Sequence, residues 1–153
     1  MMVKTHKPYF YGAYGSNLNV GQMAVRCPNA IPVTGETLDG WRLVFRGVAD
    51  IVPDASSSVQ LGLWLITDEC EKALDRYEGF PRLYTKEFIE LKTEERSTNI
   101  MIYRMTDDYA INPPTPSYLS TITHGYDDFD LDREKLTLPI QHSYNKERVI
   151  SMF

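Results

Sequence analysis

The sequence predicts an α+β fold with a mainly β core of a kind that closes as a barrel. Three observations predict it. Five or six runs of aromatic and branched residues recur along the chain, with three or so helical patterns between them in irregular alternation. The dipeptide Asp39-Gly40 separates two such runs and is a favoured hairpin signal. Residues 59–66 are almost unbroken apolar, as expected of a strand buried on both faces or of a barrel wall.

Size and composition set the frame. At 153 residues the chain is long enough to bury a full hydrophobic core, and no linker or repeat divides it, so one domain over 1–153 is expected. A net charge of −5 without a basic cluster argues against nucleic acid and anionic membranes as main partners. No apolar run approaches the ~18 residues of a bilayer span, and the start, residues 1–8, lacks the apolar core of a signal peptide. Cys27 and Cys70 share no metal or redox spacing, which leaves a reduced, cytoplasmic protein as the simplest expectation. The sequence is silent on oligomeric state.

Taken in order, residues 8–14 form an aromatic-rich strand that breaks at Gly15-Ser16-Asn17. Asn19 and Gln22 have the capping-box spacing, so a short helix starts there and ends before Pro28. Strands over 30–38 and 41–52 follow, then a polar loop over 53–58 and the apolar strand 59–66. Asp68 and Glu71 have the N-cap to N3 spacing of the next helix, whose inner stripe is Cys70, Ala73, Leu74 and Tyr77. Gly79 is placed as its C′ residue, and Pro81 prevents continuation. Strands over 83–93 and 98–105 are joined by a charged turn at 94–97. A proline-rich loop over 107–116 leads to a helix from Pro116 or Ser117, with Leu119 and Ile122 inward and Gly125 as its stop. A short helix around 130–136 and an unassigned polar tail complete the chain.

Two places carry chemistry. The strand, glycine-containing turn and helix start from Tyr11 to Asn19 are either an ordinary β–α turn or a concave row of backbone N–H donors for a carboxylate or oxyanion. Glu78 falls at the negative end of its helix, where a carboxylate is disfavoured. It is either a solvated residue at a frayed end or a base whose pKa is raised. Nucleophile elbow, phosphate loop and zinc-protease motifs are absent, and His6, His124 and His142 are scattered, so neither metal nor cofactor is expected. Cys27, before a proline and without a base, reads as a buried, inert thiol.

The segments Tyr14-Gly15-Ser16-Asn17-Leu18, Leu74-Asp75-Arg76-Tyr77-Glu78-Gly79 and Pro116-Ser117-Tyr118, in that order, resemble the γ-glutamylcyclotransferase-like (AIG2-like) family. The resemblance runs from about residue 9 to 125 and leaves the tail unmatched. It implies a small mixed β-barrel of five to six strands with flanking helices. It also implies an enzyme that cyclises a γ-glutamyl group to 5-oxoproline and releases an amine, without a cofactor. By position, Glu78 corresponds to the family's catalytic glutamate. Tyr11, Gly12, Ala13, Tyr14, Gly15 and Ser16 correspond to its substrate loop, and Tyr118 to a substrate-contacting tyrosine. The other reading is a non-catalytic module that binds a small carboxylate on the same fold. The resemblance leaves the leaving amine unspecified.

Overall fold

The computed structural model describes residues 8–151, the last six by backbone alone. The N-terminal stretch read above for a signal peptide, and His6 with it, lie outside the described residues apart from Pro8. Five strands, β1 (Tyr9–Ala13), β2 (Ile31–Arg46), β3 (Val48–Ile66), β4 (Tyr84–Lys92) and β5 (Ser97–Met105), form one sheet in the order β2-β3-β1-β5-β4. Only β1 and β5 pair in parallel. Four helices flank it, α1 (Val20–Arg26), α2 (Asp68–Glu78), α3 (Pro116–Asp128) and α4 (Thr137–Ser151), with 3-10 turns at Ser16–Leu18 and Arg133–Leu136. The expected α+β class and strand number hold. The sheet runs from one edge strand to another, so the barrel is not closed. Among the described residues no helix is long and apolar enough to cross a membrane.

The largest departure from the sequence reading is in the first ribbon. Asp39-Gly40 does not turn the chain: β2 runs through it, and the register slips between Asp39 and Trp41 with Gly40 at φ 88°. At this slip the single residue Gly40 stands opposite four residues of β3, 54–57, so the extra chain is on β3. The reversal comes at Gly47, φ 81°, between the paired residues Arg46 and Val48. Residues 53–58 lie within the span of β3, but only Pro53 and Ser58 pair with β2, and Asp54 accepts from Ser56 and Ser57 between them.

α2 forms as expected, one residue out of register at its start: Thr67 is the N-cap and Asp68, Glu69 and Glu71 fill the first turn. Cys70 and Leu74 face the core. Its end is a Schellman motif, with Phe80 N–H on the Asp75 carbonyl at 2.9 Å, Gly79 N–H on Arg76 at 3.3 Å, and Gly79 left-handed at φ 66°. Glu78 is therefore the last residue of a firmly terminated helix, not of a frayed one.

Gly125 does not stop α3, which continues to Asp128. It is there because the helix crosses the loop after β1 at contact distance. A Cβ on Gly125 would stand 2.5 Å from Leu18 Cβ and 2.7 Å from its carbonyl carbon. Leu18, fully buried, thereby pins the turn Ser16–Leu18 between sheet and helix. The tail left unassigned by sequence is helical, α4 following directly on the second 3-10 turn.

Candidate active site

The loop after β1, the end of α2 and the start of α3 meet around a cavity of about 220 Å³. Tyr11 of β1, Tyr14, Gly15 and Ser16 of the loop, Glu78 of α2 and Tyr118 of α3 all line it, so residues up to 107 positions apart in sequence come together. Gly12 and Ala13 do not. A Cβ on Gly12 would face Ile100 and Leu61 in the core, and Ala13 is buried outside the cavity wall.

Glu78 is the one carboxylate in the wall. Its Oε1 accepts a hydrogen bond from Asn17 Nδ2 at 3.1 Å. Burial pushes its pKa up from 4.5 to about 7, against the lowering pull of Arg26 and of the Asn17 hydrogen bond. The rise anticipated from the helix end thus has a different main cause, removal of the carboxylate from water. A carboxyl in this state exchanges a proton near neutral pH, as a group that is base and then acid must.

Tyrosine hydroxyls, Ser16 and Asn17 supply the rest of the polar lining, and most of the hydroxyls are already committed. Tyr14 donates to the Tyr103 carbonyl at 2.6 Å, and Tyr84 to the Ala49 carbonyl at 2.7 Å. Ser16 Oγ and Tyr77 Oη lie 3.0 Å apart. Tyr11 and Tyr118 are the exceptions, since each oxygen accepts and leaves its own proton to give. Tyr11 accepts from Asn17 Nδ2 at 3.0 Å. Tyr118 accepts from the Ala49 N–H at 3.0 Å. Burial raises its pKa, so it stays a neutral donor. Gly15 lets the loop pass close by, since a Cβ there would stand 3.1 Å from the Tyr118 hydroxyl. The turn Ser16–Leu18 begins here, and the first N–H groups of any helical turn have no partner within it.

Sequence reasoning missed Asn17 as a site residue, although it stands in the same turn. It also missed Arg26, which holds Asn17, and Tyr103 and Ala49, which fix the tyrosines. The apolar run in β5 signals that Tyr103 is buried but not what it faces. Cys27 is buried as expected. Its Sγ donates to the Cys70 carbonyl at 3.5 Å, and burial pushes the thiol up to about 12, so it is protonated and inert. Among the described residues no group of three His, Cys, Asp or Glu stands close enough to hold a metal ion.

The cavity thus gathers one buried carboxyl, its pKa raised to about 7, and several hydroxyls on a mixed α+β fold. The family model "Gamma-glutamyl cyclotransferase, AIG2-like" matches residues 11–125, and the chain belongs to that family. A curated γ-glutamylcyclotransferase of Bos taurus is 27% identical over 131 residues, covering 76% of this chain and 69% of the bovine one. A solved structure of a γ-glutamyl cyclotransferase superposes with a TM-score of 0.78 at 25% identity, covering 86% of both chains. A yeast γ-glutamyl cyclotransferase specific to glutathione shares the fold, with a TM-score of 0.53 at 15% identity over 92% of this chain and 99% of the yeast one.

Proposed function

We propose that this protein is a γ-glutamylcyclotransferase, converting a γ-glutamyl compound to 5-oxoproline and a free amine with Glu78 as general acid and base. The observation that carries the reading is the setting of Glu78: a carboxyl in the cavity wall whose burial raises its pKa to about 7, in the family's motif position, facing the loop after β1. Family membership and the bovine and solved relatives support the same reaction class.

The chemistry requires little of the protein. The substrate's α-amine attacks its own γ-carbonyl, a C–N bond closes a five-membered ring, and the γ-amide C–N bond breaks. Intramolecular attack brings a high effective molarity once the chain is held folded. Glu78 takes a proton from the α-ammonium and returns one to the departing amine. Tyr118 and the N–H groups opening the turn Ser16–Leu18 are the donors for the α-carboxylate or the developing oxyanion. At about 220 Å³ the cavity is smaller than the ~300–1,000 Å³ of drug-sized sites. It therefore encloses the γ-glutamyl part and leaves the amine at the mouth, where Tyr77 and Leu83 are 45% and 39% exposed. Glu78→Gln tests the assignment. Gln keeps the size and the bond from Asn17 but accepts no proton, so kcat should fall by about 10²-fold or more. A folded variant with undiminished turnover removes Glu78 from the mechanism.

A further inference from the structure

Arg26, the last residue of α1, stands behind the cavity wall, and the steps above do not use it. Both its terminal nitrogens are nonetheless engaged. Nη1 donates to Asn17 Oδ1 at 2.7 Å, and Nη2 donates to Gln22 Oε1. The flat face of the guanidinium lies 3.5 Å from the centre of the Tyr77 ring. Asn17 is buried, and its Nδ2 donates both to Glu78 Oε1 at 3.1 Å and to Tyr11 Oη at 3.0 Å. Its neighbours fix the amide's orientation. A guanidinium offers only donors and an ionised carboxylate only acceptors, so oxygen toward Arg26 and nitrogen toward Glu78 is the one arrangement that satisfies both.

We propose that Arg26 and Asn17 are positioning residues for Glu78: the guanidinium charge, passed through the Asn17 amide, orients the carboxylate and biases it toward its ionised, proton-accepting form. The proposal rests on the reading of Glu78 as the proton-transfer group. Arg26 is badly placed to bind substrate itself, since its Nη1 and Nη2 are each hydrogen-bonded and one face is stacked. Hydrogen bonds in series polarise one another, so the amide bonded to a guanidinium is a stronger donor to Glu78 than a free amide.

Charges and titratable groups converge on Glu78 from every side of the cavity. Tyr11 lies on β1, Tyr14 just after it, Tyr84 on β4, Tyr118 on α3 and Arg26 on α1. Burial raises all four tyrosine hydroxyls, so they are neutral at pH 7. Arg26 is then the cation among these groups and the one charge acting against the desolvation of Glu78. Without it the base would stand protonated over more of the neutral range.

The test is the titration of the Glu78 carboxyl, followed by carboxyl-carbon NMR in the full-length protein, with and without Arg26→Gln. The pKa of Glu78 should rise in the variant by about one pH unit, the low end of what an adjacent cation contributes. Because this readout needs no turnover, it stands or falls separately from the cyclotransferase reading. If γ-glutamyl turnover is present, kcat/KM at pH 6 should fall about tenfold, with the difference gone by pH 9. Arg26→Lys should restore part of the shift. Arg26→Met keeps an aliphatic stem over Tyr77 and serves as the second variant if Gln does not fold; it should show the same rise. An unmoved Glu78 titration in a folded Arg26 variant overturns the proposal, as does a loss of activity equal at every pH.

Discussion

Replacing Glu78 by Gln should stabilise the protein while disabling it, and the gain should depend on pH in a defined way. A native carboxyl raised from 4.5 to about 7 costs folding free energy once the unfolded chain releases the proton that the native state holds. Below about pH 4.5 both states are protonated, and the cost is absent. Between about 4.5 and 7 stability falls as pH rises, and above 7 the full cost applies. At roughly 1.4 kcal/mol per pH unit, the rise corresponds to an upper bound of about 3 kcal/mol. Gln carries no charge to desolvate, and its amide oxygen can keep the hydrogen bond from Asn17. For a chain of this size about 3 kcal/mol is on the order of 5–10 °C in Tm. The assay is thermal unfolding of both proteins from pH 4.5 to 8, reading the difference in Tm, which cancels every other titrating group. That difference should be near zero at the acid end, grow through pH 5–7 and level off. A constant difference across the range, or a wild type more stable at pH 8, would refute the argument that burial sets the state of Glu78.

Two further substitutions probe the walls of the site. Tyr118→Phe removes the acceptor of the buried Ala49 N–H and, on the proposed mechanism, a substrate donor. It should cost about 1–2 kcal/mol of stability in a denaturant titration and lower kcat/KM by about fivefold or more; a stability loss with unchanged kinetics makes the residue structural only. Gly125→Ala puts a methyl 2.5 Å from Leu18 Cβ and must displace the turn Ser16–Leu18. About 1–3 kcal/mol of overpacking cost should appear in Tm together with a fall in kcat/KM; unaltered kinetics would show that the loop tolerates the shift.

Local signals made α2 readable, because Asp68, Glu71 and Gly79 act on their own turns through the dipole and left-handed geometry. The same locality misled at Asp39-Gly40, which lies opposite the extra chain of β3 and not at a hairpin turn, a difference that only the strand partner decides. Gly125 looked like a helix stop because the sequence does not show Leu18 lying against it. In the site, the resemblance brought forward Tyr14 to Ser16, Glu78 and Tyr118, and the cavity contains them. Asn17 and Arg26 were out of reach as a pair with Glu78, since the contact spans 61 residues and depends on how α1 packs beside α2. The cause of the raised Glu78 pKa was hidden for the same reason: desolvation is a property of the assembled cavity, whereas the dipole belongs to the helix alone.

The most direct test of cyclisation is the identity of the first product from a panel of γ-glutamyl amino acids and amines and their N-acetylated counterparts, followed by mass. In the proposed reaction the nucleophile is the substrate's own α-amine, and the cavity wall presents one carboxyl and no cysteine among its residues. The account predicts 5-oxoproline and free amine in equal amounts from at least one γ-glutamyl compound, with the acetylated analogue inert. Glutamate as the first product, or equal turnover of the acetylated compound, would mean an attacking water and contradict cyclisation. Binding without any turnover would instead leave a carboxylate-binding module on the same fold.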